Sequence, residues 1–132
     1  MVNDTISDFL TRIRNANNSK HHLVEVTATN VTKNLVQILK EEGFIHDFQI
    51  LNAQNQNSII ISLKYSAQTR EPVLKNLERV SKPGIRVYAR KKNISNVLGN
   101  LGLVIVSTSQ GIMTDRKAKL LNIGGEILCR IS

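Results

Sequence analysis

Ser107, Thr108 and Ser109 set three hydroxyls in a row, and Gly111 follows without a side chain. Each hydroxyl is both donor and acceptor on a stem short enough to be held rigid, and glycine permits close approach to the backbone. The combination suits a partner with polar groups at fixed separations, such as the phosphates, 2′-hydroxyls and base edges of a folded RNA. A second small-residue turn, Gly124-Gly125-Glu126, adds a carboxylate able to accept from base amino groups. Between the two turns Arg116, Lys117 and Lys119 supply positive charge, with Thr114 as the N-cap of a helix starting at Asp115. Upstream, Arg86, Tyr88 and Arg90 alternate and therefore share one face of a strand, with Lys82, Lys91 and Lys92 near its ends. Tyrosine stacks on a base and arginine pairs with phosphate.

The same hydroxyls are poorly placed for catalysis. A serine nucleophile needs a general base, and the histidine nearest in sequence, His46, lies in the other half of the chain. The G-x-S-x-G elbow and the P-loop are both missing, and no carboxylates or thiols cluster as metal ligands. His21 and His22 are adjacent but lack a third ligand nearby. No enzyme activity, metal, cofactor or small-molecule substrate is expected.

Two small domains are expected to position these groups. In the first, residues 1–66, Asn3 or Asp4 caps a helix with Ile6, Phe9, Leu10 and Ile13 on one side and Arg12 and Arg14 on its flanks. A short strand with Val24 and Val26 follows, then a helix capped by Asn30 and stopped by Gly43. Residues 44–51 and 58–65 read as a hairpin. His46 and Asp47 are neighbours on a strand, so they point to opposite faces and form no dyad. The order is α-β-α-β-β. The second domain, residues 67–132, is mostly β with short helices. It takes strands over 73–80 and 85–90 joined by a Pro83-Gly84 turn, a helical turn at 95–98, a strand over 103–106, the basic helix and a last apolar strand. The fold class is α/β, of the α+β kind.

Charge separates the halves. Residues 1–66 hold six Lys and Arg against six Asp and Glu, whereas residues 67–132 hold twelve against four. All of the net charge of +8 therefore lies in the second half, which predicts an anionic partner there, nucleic acid above all. Aromatics make up only 4% and Trp is absent, so Ile, Leu and Val must build the core. Cys129 stands alone in an apolar strand, which excludes an intrachain disulfide and suits a reducing compartment. Residues 1–10 carry Asn3, Asp4 and Asp8 and lack the apolar core of a secretory signal. No apolar run approaches the ~20 residues that span a bilayer. A soluble protein made where it works, with no membrane partner, is expected.

Five segments, in order, resemble the small-subunit ribosomal protein S8 family: DTISDFLTRIRNA from Asp4, EGFI from Glu42, RVSKPG with RVY from Arg79, VSTS through MTDR from Val106, and GGEI from Gly124. The resemblance runs the whole length. It implies a structural protein of the small ribosomal subunit. Such a protein binds an irregular helix in the central domain of small-subunit ribosomal RNA as a primary binder, helps nucleate assembly and touches neighbouring ribosomal proteins. Carried over by position, Ser107, Thr108, Ser109, Gly124, Gly125 and Glu126 would contact that RNA, with Tyr88, Arg86, Lys82 and Arg90 beside them. Thr5, Arg12 and Arg14 would contribute from the first domain. The chain departs from the family at Gln110, Lys119 and Arg130. The start MVNDTISDFL resembles the bacterial and plastid branch, and the Asn-rich composition favours a plastid ribosome, with the bacterial cytoplasm as the alternative.

Overall fold

The computed structural model describes residues 5–52, 57–81, 88–89 and 102–132. Their contacts form two compact units, one of Thr5–Lys75 and one that takes Asn76–Ser132. The architecture is α+β, in the expected two parts.

In the first unit the order is α1 (Thr5–Asn18), β1 (Leu23–Thr27), α2 (Asn30–Glu41), β2 (Ile45–Asn52) and β3 (Asn57–Leu63). The strands make an antiparallel sheet in the order β1-β3-β2. Helical spacing puts Ile6, Phe9, Leu10, Ile13 and Ala16 on one stripe of α1, and all are buried. Leu35, Val36, Ile38 and Leu39 do the same on α2, while β3 alternates and buries Ile59, Ile61 and Leu63. Each fully buried side chain of this size contributes about 1.5–3 kcal/mol, so these faces hold the unit together.

The cap of α2 is Thr29, one residue earlier than Asn30. Thr29 Oγ1 accepts from Thr32 N (3.1 Å), and Thr29 N donates to Thr32 Oγ1 (2.8 Å). This reciprocal box satisfies two groups where Asn30 alone would satisfy one. At the other end Gly43, at φ 80°, closes the helix as expected. His46 falls at a register shift of β2, so strict alternation fails there. Asp47 is nevertheless occupied: the Phe48 N–H and then Lys40 hold its carboxyl below the usual range.

Polar residues 66–71 form a tied loop: Ser66 N donates to Glu71 O (2.8 Å) and Arg70 N to Ser66 O (2.9 Å). Pro72 bridges back to Tyr65, Val73 N donates to Lys64 O (2.9 Å), and buried Asn17 donates to Leu74 O (2.9 Å). The chain enters the second unit at Asn76, which exchanges both backbone bonds with Ser132. The strand expected over 73–80 is therefore only β4 (Leu77–Arg79).

The second unit continues with β5 (Tyr88–Ala89), β6 (Leu103–Thr108), β7 (Gly111–Thr114), α3 (Asp115–Leu121) and β8 (Gly125–Ile131). Its sheet runs β4-β8-β6-β7, all antiparallel. β5 pairs with β8 on the edge that β4 also uses, so the two short strands follow one another along β8. The Pro83-Gly84 turn and the helical turn at 95–98 lie outside the described residues. Val104, Val106, Met113, Ala118 and Ile127 form the core, with Val80 and Ile123 packed against it.

Cys129 is fully buried, and loss of hydration pushes its thiol up to about 12 while Arg79 acts the other way. A raised acidic pKa adds stability below the unfolded thiol value and loses it as pH rises toward the folded one. At pH 8 a disulfide reagent should leave the folded protein unlabelled and label one thiol in guanidinium, because the thiolate is the reacting species. Rapid labelling without denaturant would contradict the burial. Thr29→Ala should lower unfolding free energy by about 1 kcal/mol in denaturant titration, the usual cost of a lost cap.

Candidate nucleic-acid interface

Across the ladder Ser107 faces Glu126 on β8 and Ile112 on β7, while Glu126 faces Tyr88 on β5. Residues directly opposed in antiparallel strands point to one face. Tyr88, Glu126 and Ser107 thus form a row across three strands, about 10 Å end to end at the normal strand spacing. Tyr88 is 69% exposed, enough to offer a ring face, while Ser107 and Glu126 are half-buried. Val106, Ile127 and Met113, each one position along, point the other way into the core under Ala118 of α3. A packed apolar layer therefore backs the polar row.

A register shift sets this alignment. Ile105 pairs with Cys129, but Val106 pairs with Ile127, so Leu128 is an extra residue on β8. In a regular ladder Ser107 would face Ile127. Because side-chain direction has a period of two, the bulge puts the carboxylate in the row and the isoleucine in the core.

Gly125 serves the same alignment in a way its sequence context does not reveal. A Cβ there would lie 2.1 Å from Ser107 O and 3.1 Å from Val106 Cγ1. The glycine permits close approach of β8 to the backbone of β6. Thr108 also differs from expectation. Its hydroxyl donates to Gly111 O (2.8 Å) and accepts from Gln110 N (3.1 Å), closing the two-residue hairpin of Ser109 and Gln110. Thr108 shapes the turn, and Ser109 stands exposed at its tip.

Thr114 caps α3 as expected, accepting from Lys117 N at 3.2 Å. Arg116, Lys117 and Lys119 are exposed, and Lys119 makes no ion pair with Asp115. Two other cations are used internally: Arg130 pairs with Glu78 across β4 and β8, and Arg79 donates to Leu128 O at 2.7 Å. Gly124 is half-buried just before β8. Lys82, Arg86 and Arg90 lie outside the described residues. Thr5, Arg12 and Arg14 belong to the first unit, where Arg12 pairs with Asp8 at 3.1 Å. Sequence reasoning overlooked Ile112 as the fourth member of the row; its alternation with buried Met113 was the available signal.

Among the described residues no group of His, Cys, Asp and Glu is arranged to hold a metal. An exposed tyrosine ring, a carboxylate and hydroxyls sharing one face of a packed sheet are the groups of a polar recognition surface. Comparison with known families makes this specific: the chain belongs to the ribosomal protein S8 family, whose model matches residues 4–132, and it is of the plastid type. That family is structural and not enzymatic. The small ribosomal subunit protein uS8c of Trieres chinensis is 56% identical over 99% of both chains. The uS8c of Thalassiosira pseudonana is 53% identical over 99% of both. The uS8 of the cyanobacterium Nostoc punctiforme is 49% identical over 98% of both.

Gly125→Ala should cost about 2–3 kcal/mol, since a new Cβ at backbone separation forces the strands apart. It should also disturb the amide resonances of Ser107 and Glu126 before those of the first unit. A fully stable variant with unchanged spectra would show that the strands yield without cost.

Proposed function

We propose that this chain is a structural constituent of the small subunit of a plastid ribosome. It binds an irregular helix of the central domain of small-subunit ribosomal RNA as a primary binder and helps nucleate assembly. The row of Tyr88, Glu126 and Ser107 carries this reading, because it unites in one register three side chains that the family resemblance had marked separately. Tyr88 offers a stacking face, Glu126 accepts from base amino groups, and Ser107 and Ser109 bond to sugar or phosphate oxygens. Lys82, Arg86 and Arg90 supply phosphate contacts beside Tyr88, Gly124 keeps the approach to Glu126 low, and Gly125 contributes by letting β8 lie close beside Ser107. Thr5, Arg12 and Arg14 contribute from the first unit. The excess of cations in residues 67–132 supports the same partner. The neighbours on this reading are ribosomal RNA and other small-subunit proteins.

Filter binding tests it directly. The protein should prefer the irregular ribosomal RNA helix to a regular duplex of equal length, and equal affinity would sink the proposal. With ~6 phosphates engaged, log K should fall against log salt with a slope of roughly −5. Tyr88→Ala should weaken binding by about 1–3 kcal/mol, the usual worth of a base stacked on an aromatic ring. Ser109→Ala should also weaken it, and both should melt within about 0.5 kcal/mol of the parent because neither side chain is in the core.

A further inference from the structure

The three helices among the described residues end in one backbone pattern. The residue that closes the helix turns left-handed and donates to the carbonyl three back, and the next residue donates five back. In α2 Gly43 N bonds to Lys40 O and Phe44 N to Leu39 O; in α3 Asn122 N bonds to Lys119 O and Ile123 N to Ala118 O. Glycine and asparagine enter that conformation readily. In α1 the same pattern, Lys20 N to Asn17 O and His21 N to Ala16 O, places Lys20 there at φ 58°. The loop of residues 66–71 places Arg70 likewise, at φ 60°. Among the described residues, then, left-handed backbone outside glycine and asparagine occurs only at two cations. Both line one cavity of about 560 Å³ in the first unit, together with His22, Tyr65, Ser66 and Ala67.

Strained backbone is retained where the side chain it aims has a use. Lys20 Nζ donates to Arg70 O at 3.2 Å, joining the two sides of the cavity. Tyr65 is fixed by its hydroxyl, which donates to His21 O, and by the bridge to Pro72. The His22 ring meets it edge-on at 5.7 Å and 80°. Among the described residues no acid lines the cavity, and the adjacent Glu71 is paired with Lys75 at 3.6 Å. The lining thus offers positive charge and aromatic surface in a volume typical of small-ligand sites.

We propose that this cavity holds one unstacked RNA nucleotide, its phosphate between Lys20 and Arg70 and its base against His22 and Tyr65. The contact is additional to the row on β5, β8 and β6, and it rests on the reading of the chain as an RNA binder. A nucleotide matches both features of the lining, whereas an acidic peptide matches only the charge.

The test uses the full chain and a single-stranded hexaribonucleotide as probe, with the His22 and Tyr65 ring resonances as readout. Both should shift and saturate on titration, and salt should reverse the shift. Lys20→Gly and Arg70→Gly suit the backbone, so each should melt no lower than the parent yet bind the probe about fivefold more weakly with a salt slope reduced by about 1. Unchanged affinity in both variants, shifts confined to Tyr88, or equal shifts with polyglutamate would overturn the proposal. The hexanucleotide contains no irregular helix, so a failed preference for that helix in filter binding is a separate result. On the isolated helix both glycine variants should match the parent.

Discussion

The polar row of Tyr88, Glu126 and Ser107 depends on the pairing of β8 with β6. That ladder joins the last strand of the chain to the strand entering the hydroxyl turn, and β8 also carries both short strands of the opposite edge. Its one irregularity, the extra Leu128, decides which of two adjacent residues meets Ser107. A carboxylate on the apolar side would lack solvation, and an isoleucine in the row would offer a partner nothing to bond. Gly125 completes the constraint, since only a residue without Cβ lets the strands lie this close beside Ser107. The polar row and the packed core are two faces of one ladder.

Positive charge has two uses in this chain. Arg79 and Arg130 serve the fold, one bonded to a β8 carbonyl and the other to Glu78 across the strands. Arg116, Lys117 and Lys119 serve the surface, held outward because α3 spends its inner face on Ala118. Net charge therefore overstates the number of cations open to a partner in the second unit. It understates what is available in the first, which extends past the neutral residues 1–66 to take in Arg70, the residue that shares a cavity with Lys20.

Helix ends show how local rules and function meet. The reciprocal threonine box of α2 and the Thr114 cap of α3 follow from side chains that satisfy open N–H groups. At the C-terminal ends the shared backbone pattern demands a left-handed residue, and α1 meets it with a lysine at a steric cost that glycine would avoid. The unit boundary obeys similar local bonding: the polar residues after Tyr65 stay tied to the first unit, and pairing of Asn76 with Ser132 begins the second.

Periodicity and turn chemistry in the sequence by themselves determined the helices, the buried stripe of α1, the Gly43 stop, the Thr114 cap and the apolar setting of Cys129, and they marked several of the residues proposed to meet RNA. Each depends on neighbours within a turn or on one side chain's solvation, which is information a linear string holds. Tertiary structure alone decided the rest. It aligned Tyr88, Glu126 and Ser107, assigned the Thr108 hydroxyl to its own hairpin, turned Gly125 toward a strand, and brought Lys20 and Arg70 to one cavity. Those outcomes depend on strand register and loop closure between segments far apart in the chain. A single bulge reverses the facing of every residue beyond it, so composition and spacing could name the groups of the site but not their arrangement.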